Sequence, residues 1–156
     1  TSNDILNYSV LREKAKARAK IIIHFIKIAQ RLIELNNLHS SFAIISALNS
    51  SSIYRLSQTW QLIGKRYLSK LNKLSSLFSE ENNYYNLRNY IKSIEDENCI
   101  PYLAMYLRDL VHIKEAHPFL DSNSLPRRAS KTEPILKTIS KFQFSNYGKT
   151  NRNYLF

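Results

Sequence analysis

Residues that turn or break the backbone are scarce in this chain of 156 residues, which has two glycines and four prolines. Tight turns between short strands depend on such residues, so their scarcity argues against a sandwich or barrel of many short strands. The apolar residues also show no strand-like alternation over any long stretch. We therefore predict an all-α fold, an irregular domain of several helices.

Cysteine and long apolar runs are lacking too. Cys99 is the only cysteine, so no disulfide can form within the chain and no zinc site can be built from several thiolates. No run approaches the ~20 apolar residues that a membrane span needs, and the amino terminus has no signal-peptide pattern. We therefore expect a cytoplasmic protein. Because the sequence begins at Thr1 without an initiator methionine, we also expect a processed or excised piece.

Side chains arranged for covalent catalysis are sparse. The four histidines form no His-x-x-x-His pair, and the chain has no glycine-rich phosphate loop. The acidic run from Glu95 to Glu97 is typical of a solvated turn rather than of a catalytic pair. We expect no metal, no cofactor and no enzyme with covalent chemistry.

Acidic residues are outnumbered by basic ones, 12 against 23, and the net charge is +11. Such a surface can attract nucleic acid, anionic lipid or an acidic protein, and charge alone does not choose among them. A basic, tyrosine-rich helical module that binds RNA or anionic lipid is one hypothesis, and a merely solvated basic surface is the other.

Apolar residues at three- and four-residue spacing predict a series of helices. The predicted segments are Asp4 to about Lys20, continuing as a core helix from Ile21 to about Asn37; Ser40 to Leu48; Leu56 to about Phe78; Tyr84 to about Ile94; and Tyr102 to Glu115. Asn36 and Asn37 tolerate the left-handed conformation that often ends a helix. Residues 146–156 are predicted to be frayed.

The segment from Cys99 to Glu115 carries the most information. Pro101 can open a helix, because its missing N–H falls in the first turn, where that donor has no helical partner. Val111 and Glu115 lie one helical turn apart, which places an apolar side chain and a carboxylate on one face. The apolar residues at helical spacing in this segment are Leu103, Ala104, Leu107, Leu110 and Val111.

Four stretches together resemble a known family, in the same order and at similar separations. They are Arg18–Ala29 continuing to Asn37, Ile45–Leu56 followed by Thr59-Trp60, Asn83–Arg88, and Cys99–Glu115 followed by His117-Pro118. They span Arg18 to about Phe144 and are similar to the catalytic domain of guanine nucleotide exchange factors for Ras-family GTPases. The resemblance implies a single domain over residues 1–156 that matches the C-terminal two-thirds of the family domain, with a protruding helical hairpin.

The resemblance also implies a function and a set of residues. The chain would bind a Ras-subfamily GTPase of the Ras, Rap or Ral type and promote GDP release without changing a covalent bond. The hairpin's first arm, Tyr102–Glu115, would push aside the GTPase's first switch, with Val111 at the magnesium position and Glu115 on the phosphate side. The positions expected to contact the GTPase are Asn49, Ser51, Tyr54, Tyr84, Tyr102 and Arg108.

The hairpin's second arm departs from the family pattern. Pro134 stands in what is usually an unbroken basic helix, and an interior proline costs about 3 kcal/mol. We therefore expect a shortened arm that begins near Pro134 and ends near Phe144. The run Arg127-Arg128-Ala129-Ser130 matches a site for kinases that prefer basic substrates.

Two alternatives for the function stay open beside nucleotide exchange. The main one is a non-catalytic remnant that binds a GTPase or another protein without releasing nucleotide, and the lipid- or RNA-binding module described above is less favoured. We expect a cytoplasmic protein that can also be recruited to the anionic inner surface of a membrane. We expect no nucleic-acid partner.

Overall fold

The structure is a computed structural model that describes residues 15–94, 97–118 and 124–143. All regular elements within these ranges are helices, which confirms the all-α class. They are α1 (Ala15–Glu34), α2 (Leu38–Leu48), α3 (Ser51–Tyr54), α4 (Ser57–Trp60), α5 (Lys65–Leu77), α6 (Glu81–Ser93), α7 (Leu103–Ala116) and α8 (Ser124–Gln143). The chain divides into two compact units, Thr1–Ser93 and Ile94–Phe156.

The core of the first unit is built on α1. Its buried residues, Ala19, Ile22, Ile26 and Ala29, recur at spacings of three and four and so form one apolar stripe. This stripe packs mainly on α2. The buried Ser41 hydroxyl donates a hydrogen bond to the Ala29 carbonyl at 3.1 Å and so satisfies a polar group inside the contact. The predicted merging of the first two helices is confirmed from Ala15 onward, and residues 4–14 lie outside the described part.

Two asparagines form the turn between α1 and α2. Asn36 has a left-handed φ of 54°, its N–H donates to the Ile33 carbonyl, and the next N–H, of Asn37, donates to the Leu32 carbonyl. This pair of bonds is the Schellman arrangement that closes a helix. The Asn37 side chain then accepts from the Ser40 N–H at 3.0 Å and caps α2. The predicted helix end is confirmed, and α2 begins two residues earlier than expected, at Leu38.

The predicted single helix from Leu56 to Phe78 is wrong. The structure has the short α4, then a turn, and then α5, which begins after Gly64 in an extended conformation (φ −61°, ψ 144°). Glycine has a low helix propensity, which favours a break there. The Trp60 indole N–H donates to the Ile53 carbonyl at 2.9 Å. This bond ties Trp60 to the preceding α3, so Trp60 stabilises the short helices and is not part of one long helix.

A left-handed turn opens α6. Asn82, Asn83 and Tyr84 all have positive φ, between 48° and 59°. Asparagine adopts this region readily, whereas tyrosine adopts it at a cost. The Arg88 guanidinium donates to the Asn83 carbonyl at 2.7 Å and holds the turn against the helix that follows. A helix beginning near Tyr84 is thus confirmed, although the structure begins it in a left-handed turn.

The second unit contains α7 and α8, which pack on each other as a helical hairpin. The bounds of α7 agree with the prediction to within a residue. The expectation of a shortened second arm is wrong, because α8 begins at Ser124 and continues through Pro134. The lost N–H removes a single backbone bond, and local contacts support the helix beyond it: Thr138 donates to the Pro134 carbonyl at 2.9 Å, and Lys137 pairs with Glu133 at 2.8 Å. Residues 146–156, predicted to be frayed, lie outside the described part.

Candidate functional site

One face of α7 carries a row of exposed apolar side chains. Leu103, Leu107 and Val111 recur every four residues and are 41%, 52% and 51% exposed. The opposite face holds the buried Met105 and Tyr106. Single exposed apolar residues are ordinary, but a row along one helix marks an interaction surface. The sequence pattern placed Leu103 and Leu107 among five apolar residues of this helix without indicating which of them face outward. Their four-residue spacing back from Val111 is the signal that could have distinguished them.

Glu115 continues this row by one further turn. Its carboxylate is 69% exposed and lies 3.7 Å from the Nδ1 atom of His112, which is similarly exposed. An exposed pair at this distance adds little to stability, and it is an ion pair only when the histidine is protonated. The structure therefore presents an apolar side chain and a carboxylate one turn apart, as the sequence predicted for Val111 and Glu115.

Two further predicted residues belong to the same helix. Arg108 is exposed and lies one turn before Val111 on the outward face of α7. Tyr102 is half-buried at the position that precedes the helix. Arg108, Val111 and Glu115 thus share one surface of the second unit, and Tyr102 lies at the start of that helix.

Three other predicted residues lie together in the first unit, around the short α3. Asn49 and Ser51 are exposed, and Tyr54 is 75% exposed. The core fixes the position of this segment, because the Ile53 side chain is fully buried. The Ile53 carbonyl also accepts a hydrogen bond from the Trp60 indole N–H. The Asn49 amide donates to the Ser75 hydroxyl of α5 at 3.2 Å. The result is a polar, outward-facing turn on a fixed base, as expected of a contact loop.

Tyr84 differs from the other predicted contact residues. It lies in the first unit and its side chain is only 4% exposed, whereas the next residue, Tyr85, is 60% exposed. The left-handed turn of Asn82–Tyr84 sets these orientations, and no sequence pattern indicated that turn. A contact between Tyr84 and a GTPase stays a prediction, and the structure does not bring its ring to the surface.

Helix α5 carries a basic face. Lys65, Arg66 and Lys73 are exposed on the side opposite the buried Leu71 and Leu74, and α5 has no acidic residue. Along this side runs an open depression lined by Lys65, Leu68, Ser69, Asn72, Lys73 and Ser76.

The described residues contain neither a candidate metal cluster nor a reactive thiol. Among them no group of three or more His, Cys, Asp and Glu side chains could hold a metal ion. Burial raises the pKa of the Cys99 thiol to about 11, so that thiol stays protonated near neutral pH and is a poor nucleophile. No helix in the described ranges is both long and apolar enough to cross a membrane.

Comparison with known proteins identifies the family to which this chain belongs. Residues 2–142 match the RasGEF domain. The chain belongs to the RasGEF family. This RasGEF chain is 45% identical over 131 residues to the Ras-specific guanine nucleotide-releasing factor RalGPS1 of Danio rerio and 42% identical over 131 residues to RalGPS2 of Homo sapiens.

A yeast relative shows the same similarity at greater distance. The guanine nucleotide exchange factor SDC25 of Saccharomyces cerevisiae is 40% identical over 116 residues. The aligned region covers 83% of this chain but 22% of each RalGPS protein, and 74% of this chain but 9% of SDC25. The chain therefore spans under a quarter of the length of these relatives.

Proposed function

We propose that this chain promotes release of GDP from a Ras-subfamily GTPase. The observation that carries the proposal is the exposed apolar row of α7, which ends in the Glu115 carboxylate on one arm of a helical hairpin. Membership of the RasGEF family and the names of its relatives, which are nucleotide-releasing and exchange factors, support the same conclusion.

The proposed activity needs no covalent step. A protein that binds the nucleotide-free GTPase more tightly than the loaded one lowers the affinity of the GTPase for nucleotide by the same factor. Exchange is accelerated when the bound state loosens the contacts to Mg²⁺ and the phosphates. The chain would thus act as an exchange catalyst and not as an enzyme of bond chemistry.

The two residues at the end of the row have distinct roles in this proposal. An apolar Val111 side chain at the magnesium position cannot ligate the ion, so that position loses the charge that offsets the phosphates. A Glu115 carboxylate beside the phosphates repels them. It can also accept a hydrogen bond from the hydroxyl of the GTPase's phosphate-binding loop that otherwise ligates Mg²⁺. Leu103 and Leu107 would bury apolar area against the displaced first switch.

The polar turn of Asn49, Ser51 and Tyr54 would hold the GTPase's second switch, with Tyr84, Tyr102 and Arg108 as further contacts. The three exposed side chains of the turn can approach a partner without rearrangement. Ras, Rap and Ral types all remain in the partner class, and the name of the RalGPS relatives, Ras-specific guanine nucleotide-releasing factors, makes Ras the first to test.

The test is release of a fluorescent guanine nucleotide from Ras, Rap and Ral GTPases with increasing amounts of this chain. We expect faster release for at least one of them. The double change Val111→Asp and Glu115→Ala should lower the rate at least ~10-fold, because losing about 1.4 kcal/mol of preference for the nucleotide-free state is enough for that.

A matched control is Leu62→Asp, which places the same charge on an equally exposed apolar residue, 54% against 51%. It should leave the exchange rate unchanged. Circular dichroism should show both variants folded. A folded chain that binds the GTPases but accelerates none of them would establish the binding-only alternative instead.

We also propose a cytoplasmic location with recruitment to the anionic inner surface of a membrane. The basic face of α5 supports this, since Lys65, Arg66 and Lys73 lie on one exposed side without an acidic residue on the helix. Basic clusters of this kind gain about 1 kcal/mol per Lys or Arg near an anionic surface.

A further inference from the structure

The second arm of the hairpin carries a motif that nucleotide exchange does not use. In the run Arg127-Arg128-Ala129-Ser130, two guanidinium groups precede a serine hydroxyl by three and two residues. Arg127 and Ser130 are exposed, and Arg128 is half-buried. Protein kinases that prefer basic substrates recognise a serine with this arrangement of arginines, so the motif and its exposure point to modification of Ser130.

The helical conformation protects the serine. Its hydroxyl donates to the Arg127 carbonyl at 2.9 Å, one turn back along α8. A kinase active site binds its substrate segment in an extended form, so α8 must open around Ser130 before the hydroxyl can react. Whether that opening is easy decides whether the motif is usable.

Pro134 makes the opening easy at this very residue. In a helix the N–H of residue 134 would bond to the carbonyl of residue 130, and proline has no N–H to give. In addition, within residues 125–133 only Arg128 and Thr132 are even half-buried, so little apolar contact is lost when this turn alone opens while the rest of α8 stays packed on α7. The missing bond, the exposure of the helix and the motif therefore coincide at Ser130.

We propose that Ser130 is a phosphorylation site for a kinase that prefers basic substrates, reached through local opening of α8 before Pro134. In the reaction the Ser130 Oγ attacks the γ-phosphorus of ATP and the bond from that phosphorus to the bridging oxygen breaks. ADP leaves, and the hydroxyl proton passes to the kinase's base and then to solvent. The product carries almost two negative charges between Arg127 and Lys131.

The first test is phosphorylation of the intact chain by a purified kinase of this type with ATP, followed by mass spectrometry. We expect one phosphate per chain, on Ser130, and none on that peptide in Ser130→Ala. Arg127→Ala changes an exposed side chain outside the exchange site and should slow the reaction at least ~10-fold through lost recognition. Phosphate found elsewhere, with Ser130 untouched, would refute the site.

The second test concerns the opening. Pro134→Ala restores the donor to the Ser130 carbonyl and should slow phosphorylation at least ~10-fold, because fewer molecules are open at any time. Ala129→Gly, a change within the same turn, should speed it about 5-fold by weakening the helix. Equal rates in wild type and Pro134→Ala, with circular dichroism showing both folded, would overturn the opening. None of these rates depends on nucleotide exchange, so the proposal stands or falls apart from the proposed function.

Discussion

At the scale of single residues, Asn36 does two tasks. Its backbone has the left-handed φ of 54° that ends α1. Its side-chain oxygen accepts a hydrogen bond from the Tyr90 hydroxyl at 2.9 Å. Asn36→Ala should lower the free energy of unfolding by about 2 kcal/mol, about half from the left-handed backbone and about half from the lost hydrogen bond. Urea denaturation followed by circular dichroism measures this loss.

Two controls separate the contributions of Asn36. Asn36→Gly keeps the backbone unstrained and loses the hydrogen bond, so it should cost about 1 kcal/mol. Tyr90→Phe removes the hydroxyl, which also donates to the Ile33 carbonyl at 3.2 Å, and should cost at least about 1 kcal/mol. Its combination with Asn36→Ala should cost less than the sum, because the bond between Tyr90 and Asn36 is lost in both. Equal costs for Ala and Gly at position 36 would show that the backbone contributes nothing.

The same scale shows which site residues the sequence could reveal. Val111 and Glu115 are four apart within an uninterrupted helical pattern, so spacing alone placed them on one face, and the structure agrees. The orientation of Tyr84 depends on three consecutive left-handed residues. Asn82 and Asn83 permit that conformation without requiring it, so no local rule indicated it before the packing of α6 was known.

At the scale of elements, Gly64 is where the prediction of one long helix failed. A Cβ added to Gly64 would meet no atom within 4 Å, and the residue has the extended backbone of a helix cap, yet no side chain caps α5. Gly64→Asp should therefore supply the missing acceptor and favour the helix dipole, and it should raise the free energy of unfolding by about 1 kcal/mol. For a chain of this size that corresponds to about 2–4 °C in the thermal midpoint.

Gly64→Ala is the matched control, because it restricts the unfolded chain without offering a side-chain acceptor. It should give a smaller gain than Gly64→Asp. A midpoint raised equally by both would assign the whole effect to the unfolded state and none to capping. A fall in stability with Asp would contradict the open surroundings of this position.

The helix ends differ in how far the sequence could predict them. The end of α1 carries its own chemical signal in two asparagines, and the prediction was right. The predicted shortening of α8 was wrong, because the average cost of an interior proline does not by itself decide whether a helix continues. Packing against α7 and the side-chain bonds of Thr138 and Lys137 outweigh one absent backbone donor.

At the scale of the whole molecule, charge is distributed unevenly along the chain. Residues 15–93 contain twelve lysines and arginines but three acidic residues, so most of the net charge belongs to the first unit. Composition allowed either an anionic partner or a merely solvated basic surface and did not choose between them. The structure adds that three of these cations, Lys65, Arg66 and Lys73, share one exposed helix face, which matches a flat anionic surface better than scattered charge does.

Binding to lipid vesicles tests the role of this face. We expect the chain to sediment with vesicles that contain phosphatidylserine and not with vesicles of phosphatidylcholine alone, and to be released by salt. Replacing Lys65 and Lys73 together by Gln should weaken binding about 30-fold, since each cation contributes about 1 kcal/mol. The control replaces Lys137 and Lys141 of α8 by Gln, which removes the same charge from the second unit. If the control pair weakened binding equally, net charge alone would account for the attraction, and the α5 face would have no special role.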